Sequence, residues 1–247
     1  MKRSVFSAAI LAAGTLCAQE PRVRTLETEL PAVPKGIPIA TYPMPRTDWV
    51  TNVSSLIREG RKVAATTRVV VDGDSIHAGW RRLWGAHFPA VPAFNFAIAG
   101  DRTQNLLWRI DQGQLDGFKP QAVLLLIGTN NIGNMESVED TVAGVKAVVA
   151  EYRKRCPEAV IYLQALLPRA GTDYWMEKVK GVNAGIASLD DGRQVLVLDV
   201  SKAFLKEDGT IDKELMPDLL HPSEKGYAAW AERLRPVLSK YERKAGD

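Results

Sequence analysis

Cysteine is nearly absent from this chain. Of the two present, Cys17 lies in a leader-like apolar stretch, so removal of that leader would leave Cys156 without a partner in the chain. A disulfide framework is then excluded, and the fold must rest on its apolar core. Cys156 precedes Pro157 at an expected helix end and reads as inert. Histidine is scarce too, limited to His77, His87 and His221. No Cys/His group has zinc-ligand spacing, so no metal or other cofactor is indicated. Charge of one sign is lacking: 32 Lys and Arg are interspersed with 29 Asp and Glu, for a net charge of +3. Without a polybasic patch, nucleic acid and anionic membranes are not suggested as partners. The apolar stretch 5–16 is too short to span a bilayer, so no stable membrane insertion is expected. No Gly-x-Gly-x-x-Gly loop follows the first expected strand, which argues against a nucleotide-binding protein.

What is present suits one large domain. The chain has 247 residues, 46% hydrophobic and 25% charged, enough to fill a sizeable core. Lys2 and Arg3 ahead of the apolar stretch give residues 1–18 the form of a secretion signal, which points to a secreted or periplasmic protein. Ala18 or Cys17 is the expected cleavage edge. Lipidation of Cys17 is the alternative, opposed by Gly14 where lipoprotein signals usually carry leucine. Residues 19–46, rich in proline, read as an extended arm without a helix of its own, packed on the domain that occupies 47–247.

The organising stretch is Val69-Val70-Val71-Asp72-Gly73-Asp74-Ser75. Three consecutive valines suit a strand covered on both faces. Gly73 permits a sharp turn, and Asp74 and Ser75 are helix-starting residue types. Further strands are predicted at 94–98, 122–127, 160–167 and 195–198. Helices are predicted at 48–62 (capped by Thr47 or Asp48), after Ser75 through Trp84, and at 103–112, 137–155, 174–189 and 223–240. This alternation calls for a doubly wound, mostly parallel sheet with helices on both faces. In such a sheet the strand-end loops share one edge, so Ser75, Gly100 and Asn130 can converge.

An acyl-transfer site needs a nucleophile, a base, a group to orient the base and donors for the oxyanion. Ser75 is the candidate nucleophile. His77 falls two residues later on a helix start and points to another side, and His87 lies near the far end of that helix. His221 remains, in Asp218-Leu219-Leu220-His221-Pro222. A carboxylate three residues ahead can fold back onto the imidazole and leave the other ring nitrogen free for the serine proton. Gly100 can offer its backbone N–H, and Asn130 its amide. Singly, each of these is also an ordinary turn or cap residue. In this order they leave little room for chance.

Gly73-Asp74-Ser75, Gly100, Gly128-x-Asn130 and Asp218-x-x-His221 resemble the four blocks of the SGNH (GDSL) hydrolases. Within that family the chain looks like the catalytic-subunit type of platelet-activating-factor acetylhydrolase. The stretches concerned are Asn95-Phe96-Ala97-Ile98-Ala99-Gly100-Asp101-Arg102-Thr103, Leu107-Trp108-Arg109, Gly128-Thr129-Asn130-Asn131 and Leu166-Leu167-Pro168-Arg169. The resemblance implies an α/β fold, a three-layer flavodoxin-like sandwich with a five-stranded parallel sheet of order 2-1-3-4-5, and metal-independent ester hydrolysis. It implies Ser75 as nucleophile, His221 as base then acid, and Asp218 as its orienting group. It also implies an oxyanion hole of the Ser75 and Gly100 N–H groups with the Asn130 side chain. Asp72 departs from the pattern, which usually has an apolar residue there, and bears on the packing of the turn.

No long insertion is present to form a lid, so an open site for short acyl groups is expected, acetyl first, with Tyr174 and Trp175 as its wall after the fourth strand. Export would bring such an esterase to small-molecule or glycan esters. The rival activity is a lysophospholipase or thioesterase acting on longer chains. From another class, a catalytically silent binding module would keep the fold without the chemistry. A homodimer is suggested by analogy with the resembling subunits alone.

Overall fold

The structure, a computed structural model, describes Leu26, residues 29–169 and residues 172–244. The expected secretion signal and the start of the arm lie outside the described residues. Five strands form one parallel sheet: β1 (Val69–Gly73), β2 (Ala93–Asn95), β3 (Ala122–Leu126), β4 (Val160–Gln164) and β5 (Val195–Leu198), in the order β2-β1-β3-β4-β5. The sheet is entirely parallel. β1 and β3 are buried along their whole length, as unbroken apolar strands covered on both faces must be. The one charged residue among them is Asp72.

The helices follow the strands: α1 (Val50–Val63), α2 (Ser75–Ala78), α3 (Trp80–His87), α4 (Thr103–Asp111), α5 (Thr129–Gly133), α6 (Val138–Arg155), α7 (Asp173–Ala187) and α8 (Glu224–Leu238). The step from β1 to β2 runs one way along the sheet and every later step the other. Right-handed crossovers therefore put the helices on opposite faces. α3 packs with α8, while α4 packs with α6 and α6 with α7. The first pair is locked by aromatics: the Trp80 ring lies 4.9 Å from Tyr227 and 5.5 Å from Trp230, within the range of favourable edge-to-face pairs.

Several expected boundaries move for local reasons. The first helix begins at Val50, behind a 3-10 turn over Thr47–Trp49, and Trp49 caps it without a side-chain hydrogen bond. The helix expected to run on from Ser75 breaks at Gly79 into α2 and α3. β2 is shorter than expected because Asn95 Oδ1 accepts the Ala97 N–H at 2.9 Å. Single bonds still continue the pairing, from Phe96 N–H to the Val71 carbonyl (2.8 Å) and from Ile98 N–H to the Gly73 carbonyl (3.1 Å). β4 ends at Gln164 rather than at 167, and α7 starts at Asp173. Ser137, expected as the first helical residue, is instead the cap of α6, its side chain accepting the Asp140 N–H at 2.9 Å.

The described part of the arm carries one 3-10 turn, Ile39–Thr41. The buried Ala40 offers its carbonyl to Thr103 Oγ1 at 2.7 Å. Met44 exchanges bonds with α4, donating its N–H to the Gln104 carbonyl (2.9 Å) and accepting from Asn105 Nδ2 (3.0 Å).

Candidate active site

Register brings the loops together. Gly73, the last residue of β1, pairs with Leu126, the last of β3, so the chain leaves both strands at the same height. Gly73 stands at φ +148°, and a Cβ there would lie 1.9 Å from the Leu126 carbonyl oxygen. No other residue can make this turn against the neighbouring strand. Asp74 then caps α2, accepting the Ile76 N–H at 3.0 Å, and Ser75 projects from the first turn of that helix. Asp74 is fully buried and its Oδ2 has no partner among the described residues. Burial pushes its pKa up to about 7 against the pull of the Ile76 hydrogen bond.

Ser75 Oγ lies 2.8 Å from His221 Nε2. His221 Nδ1 lies 2.7 Å from Asp218 Oδ2. Asp218 Oδ1 accepts the backbone N–H groups of Leu220 (3.0 Å) and His221 (2.7 Å), which folds the segment back on itself and takes Leu219 to φ 60°. Partial burial works to raise the Asp218 carboxyl, but the hydrogen bonds from His221 and Leu220 outweigh it and hold the group below its usual range. With Asp218 accepting from Nδ1–H, Nε2 is left as the proton acceptor facing Ser75. The pair is open to solvent: the His221 and Asp218 side chains are 41% and 58% exposed.

The N–H groups of Ser75 and Gly100 donate to no described residue. Gly100 sits at φ +81°, third in a turn closed by the Asp101 N–H donating to the Ile98 carbonyl at 3.1 Å. Asn130 stands in the first turn of α5, and one of its amide hydrogens goes to the Asp101 carbonyl at 3.0 Å. The loops bearing Gly100 and Asn130 are therefore tied to each other, and the second Asn130 N–H is left to donate elsewhere. Its neighbour Asn131 is buried and spends its side chain on Thr103, Gln104 and Glu136.

Tyr174 and Trp175 belong to the first turn of α7. Their rings meet edge to face at 4.9 Å. Tyr174 is exposed and Trp175 half-buried, so neither is a core residue. The Arg169 guanidinium lies 4.9 Å over Trp175 and donates to the Thr129 carbonyl and hydroxyl, joining this aromatic pair to the residue before Asn130.

His77 faces away from the serine, as its position predicts. It is fully buried, with Nδ1 2.7 Å from the Asp72 carbonyl and Nε2 2.7 Å from Gln164 Nε2. Gln164 in turn accepts from Trp230 Nε1 at 2.8 Å. Burial lowers the His77 pKa to about 4, so the ring is neutral.

The sequence marks Asp72 only as a departure bearing on the packing of the turn and gives Arg109 no role of its own. Both are buried and joined at 3.0 Å. Gln114 Nε2, Tyr152 Oη and the Gly73 N–H also donate to Asp72. Arg109 reaches Asp101 Oδ2 at 2.8 Å and the Phe96 carbonyl at 3.2 Å. Desolvation alone would lower the Arg109 pKa, but the two carboxylates reverse that and hold it charged. The available signal was a charge inside an apolar helical stripe, Arg109 beside Leu106, Leu107 and Ile110.

Among the described residues, no His, Cys, Asp and Glu group could hold a metal ion, and no helix is long and apolar enough to cross a membrane. Residues 57–229 match the model of the GDSL-like lipase/acylhydrolase family. The chain is 36% identical over 174 residues to platelet-activating factor acetylhydrolase IB subunit alpha1 of Pongo abelii, covering 69% of this chain and 74% of the relative. Among solved structures, it resembles a GDSL-like lipase of Bacteroides thetaiotaomicron (TM-score 0.60, 20% identity, 82% of this chain and 98% of that one). A catalytic mutant of the acetylxylan esterase Axe2 of Geobacillus stearothermophilus shares the fold (TM-score 0.58, 18% identity, 74% and 99%). With more than half of its length matched by the family model, the chain belongs to the GDSL-like lipase/acylhydrolase family, a family of ester hydrolases.

Proposed function

We propose that the protein is a serine esterase acting on short-chain esters, acetyl esters first, through a Ser75–His221–Asp218 acyl-enzyme mechanism. One observation carries the reading: a hydroxyl, an imidazole and a carboxylate stand in line, 2.8 and 2.7 Å apart. Ser75 Oγ attacks the ester carbonyl and passes its proton to His221 Nε2. Asp218 steadies the imidazolium by accepting from Nδ1–H. The N–H groups of Ser75 and Gly100 and the free Asn130 amide hydrogen receive the oxyanion. On collapse, His221 protonates the departing alcohol. Water then repeats the cycle on the acyl-enzyme and releases the acid.

The open His221 loop and the small aromatic wall of Tyr174 and Trp175 support a small acyl group. The printed name of the curated relative, an acetylhydrolase, supports the same reading. Export, proposed from residues 1–18, favours acetylated glycans as natural substrates. The likeness to an acetylxylan esterase is one of fold alone. The test is an acyl-length series of p-nitrophenyl esters, with acetylated xylan and acetylated sialic acid assayed for acetate release. Highest kcat/KM on acetate and acetate release from a glycan are expected. A preference for long chains would favour a lysophospholipase or thioesterase instead. Failure of a fluorophosphonate to label Ser75 would favour a silent binding module.

A further inference from the structure

Two arginines hold the loop that carries Gly100, and they approach it from opposite directions. Arg109 reaches it from the buried interior, through Asp101 Oδ2 and the Phe96 carbonyl. Arg46 reaches it from the N-terminal arm, ahead of the segment 57–229 that matches the family model. Arg46 Nη1 donates to the Ala99 carbonyl at 2.6 Å and to Asp101 Oδ1 at 3.4 Å. Its guanidinium lies 5.2 Å over the Trp49 ring, and Nη2 pairs with the exposed Asp48 at 3.2 Å.

The Ala99 carbonyl and the Gly100 N–H belong to one planar peptide unit and point in opposite directions across it. Whatever orients the carbonyl therefore orients the N–H. This peptide is the central one of the Ile98–Asp101 turn, and glycine at its far end makes rotation of the unit sterically cheap. Nothing in the sheet ladder restrains it. Arg46 is the described group that grips the carbonyl. It also fills the space beside Gly100, where a Cβ would come 2.9 Å from Nη1. Its second acceptor, Asp101, presents the backbone carbonyl to which the Asn130 amide donates. A guanidinium suits this task because its fork serves a carbonyl and a carboxylate at once and stays charged.

We infer that Arg46 is a positioning residue for ester hydrolysis. The arm returns to the edge of the sheet and locks the 99–100 peptide with its N–H toward the oxyanion. The inference rests on the hydrolase reading above. Misaiming one donor weakens the transition state more than the bound ester.

The test is steady-state hydrolysis of p-nitrophenyl acetate by the full chain carrying Arg46→Ala, Arg46→Lys or Asp48→Asn. Arg46→Ala is expected to lower kcat by about tenfold with KM changed less than about twofold. Millimolar guanidinium should restore part of the loss, and Arg46→Lys should fall between the two. Asp48→Asn, which touches only the outer nitrogen, should match wild type. An Arg46→Ala kcat within about twofold of wild type overturns the inference. So does a loss that follows a lowered melting temperature and yields to neither lysine nor guanidinium. Fluorophosphonate labelling of wild type and Ser75→Ala, run in parallel, separates the two failures. Equal labelling in both defeats the hydrolase reading itself, whereas Ser75-dependent labelling with an indifferent Arg46 defeats only the role of the arm.

Discussion

Two histidines lie on either side of the same turn, and each contacts one residue of it. His221 approaches Ser75 from the open side, its ring 41% exposed and aligned by a carboxylate that is itself 58% exposed. His77, two residues after the serine, is fully buried and bonded to the Asp72 carbonyl and Gln164. The first stands within hydrogen-bond reach of the Ser75 hydroxyl, at 2.8 Å. The second is held neutral by desolvation and braces the end of β1 against β4. The carboxylates divide the same way: Asp218 holds an exposed imidazole, while Asp72 neutralises a buried arginine. Residue type does not decide role here; access to water and the number of fixed partners do.

Substitutions on the two sides should therefore separate turnover from stability. The largest effect is expected at the open site. Ser75→Ala or His221→Ala should lower kcat by about 10⁴-fold or more, and Asp218→Ala nearly as much, with chemical denaturation little changed. Near-wild-type hydrolysis by Ser75→Ala would break the comparison outright. Next comes Asn130→Ala, expected to cost about 10²–10³-fold in kcat with a small change in KM, the loss typical of one oxyanion donor. On the buried side the signs reverse. Asp72→Ala leaves Arg109 with half its countercharge and should destabilise the fold by about 3–5 kcal/mol in urea titrations. The exposed Asp218–His221 pair should contribute under about 1 kcal/mol to the same measurement.

The subtlest expectation concerns pH. Asp74 titrates near 7 in the folded protein against its ordinary 3.8. A raised carboxyl contributes stability that is full below about pH 4 and is lost as pH rises through about 7. His77 titrates near 4 against its ordinary 6.5. A lowered imidazole contributes stability that is full above 6.5 and is lost as pH falls through about 4. The two oppose each other across the same window. Asp74→Asn, which keeps the helix cap, should make stability fall more steeply on acidification from pH 7 to 4. His77→Gln should flatten that fall. Unfolding midpoints measured along the pH range would show it, and parallel curves for wild type and both variants would refute the pairing.

The strand and helix order could be read in advance because each element announces itself over a few residues. Val69-Val70-Val71 and the run 122–127 are too apolar to face water. Errors gathered at ends, where one side chain redirects the backbone, as Asn95 does to β2. Asp72 could be seen as an exception but not explained, since its partners Arg109, Gln114 and Tyr152 come from distant parts of the chain. The helix predicted from 174 starts one residue earlier, at Asp173, so its first turn with Tyr174 and Trp175 was legible, whereas the Arg169 guanidinium over Trp175 was not.

Alone, the sequence determined what depends on short reach: the left-handed turn that only glycine at 73 can make, the helix cap at Asp74, the apolar strands, and a carboxylate close enough along the chain to fold onto His221. Only the tertiary structure decided which distant groups would meet. Ser75 reaches His221 because the sheet order places their loops on one edge. Asp72 is tolerated because folding delivers a guanidinium to it, and Arg46 reaches the Ala99 carbonyl because the arm packs back along α4. Contacts within a turn follow from covalent geometry, whereas contacts across the sheet exist only once the layers have packed.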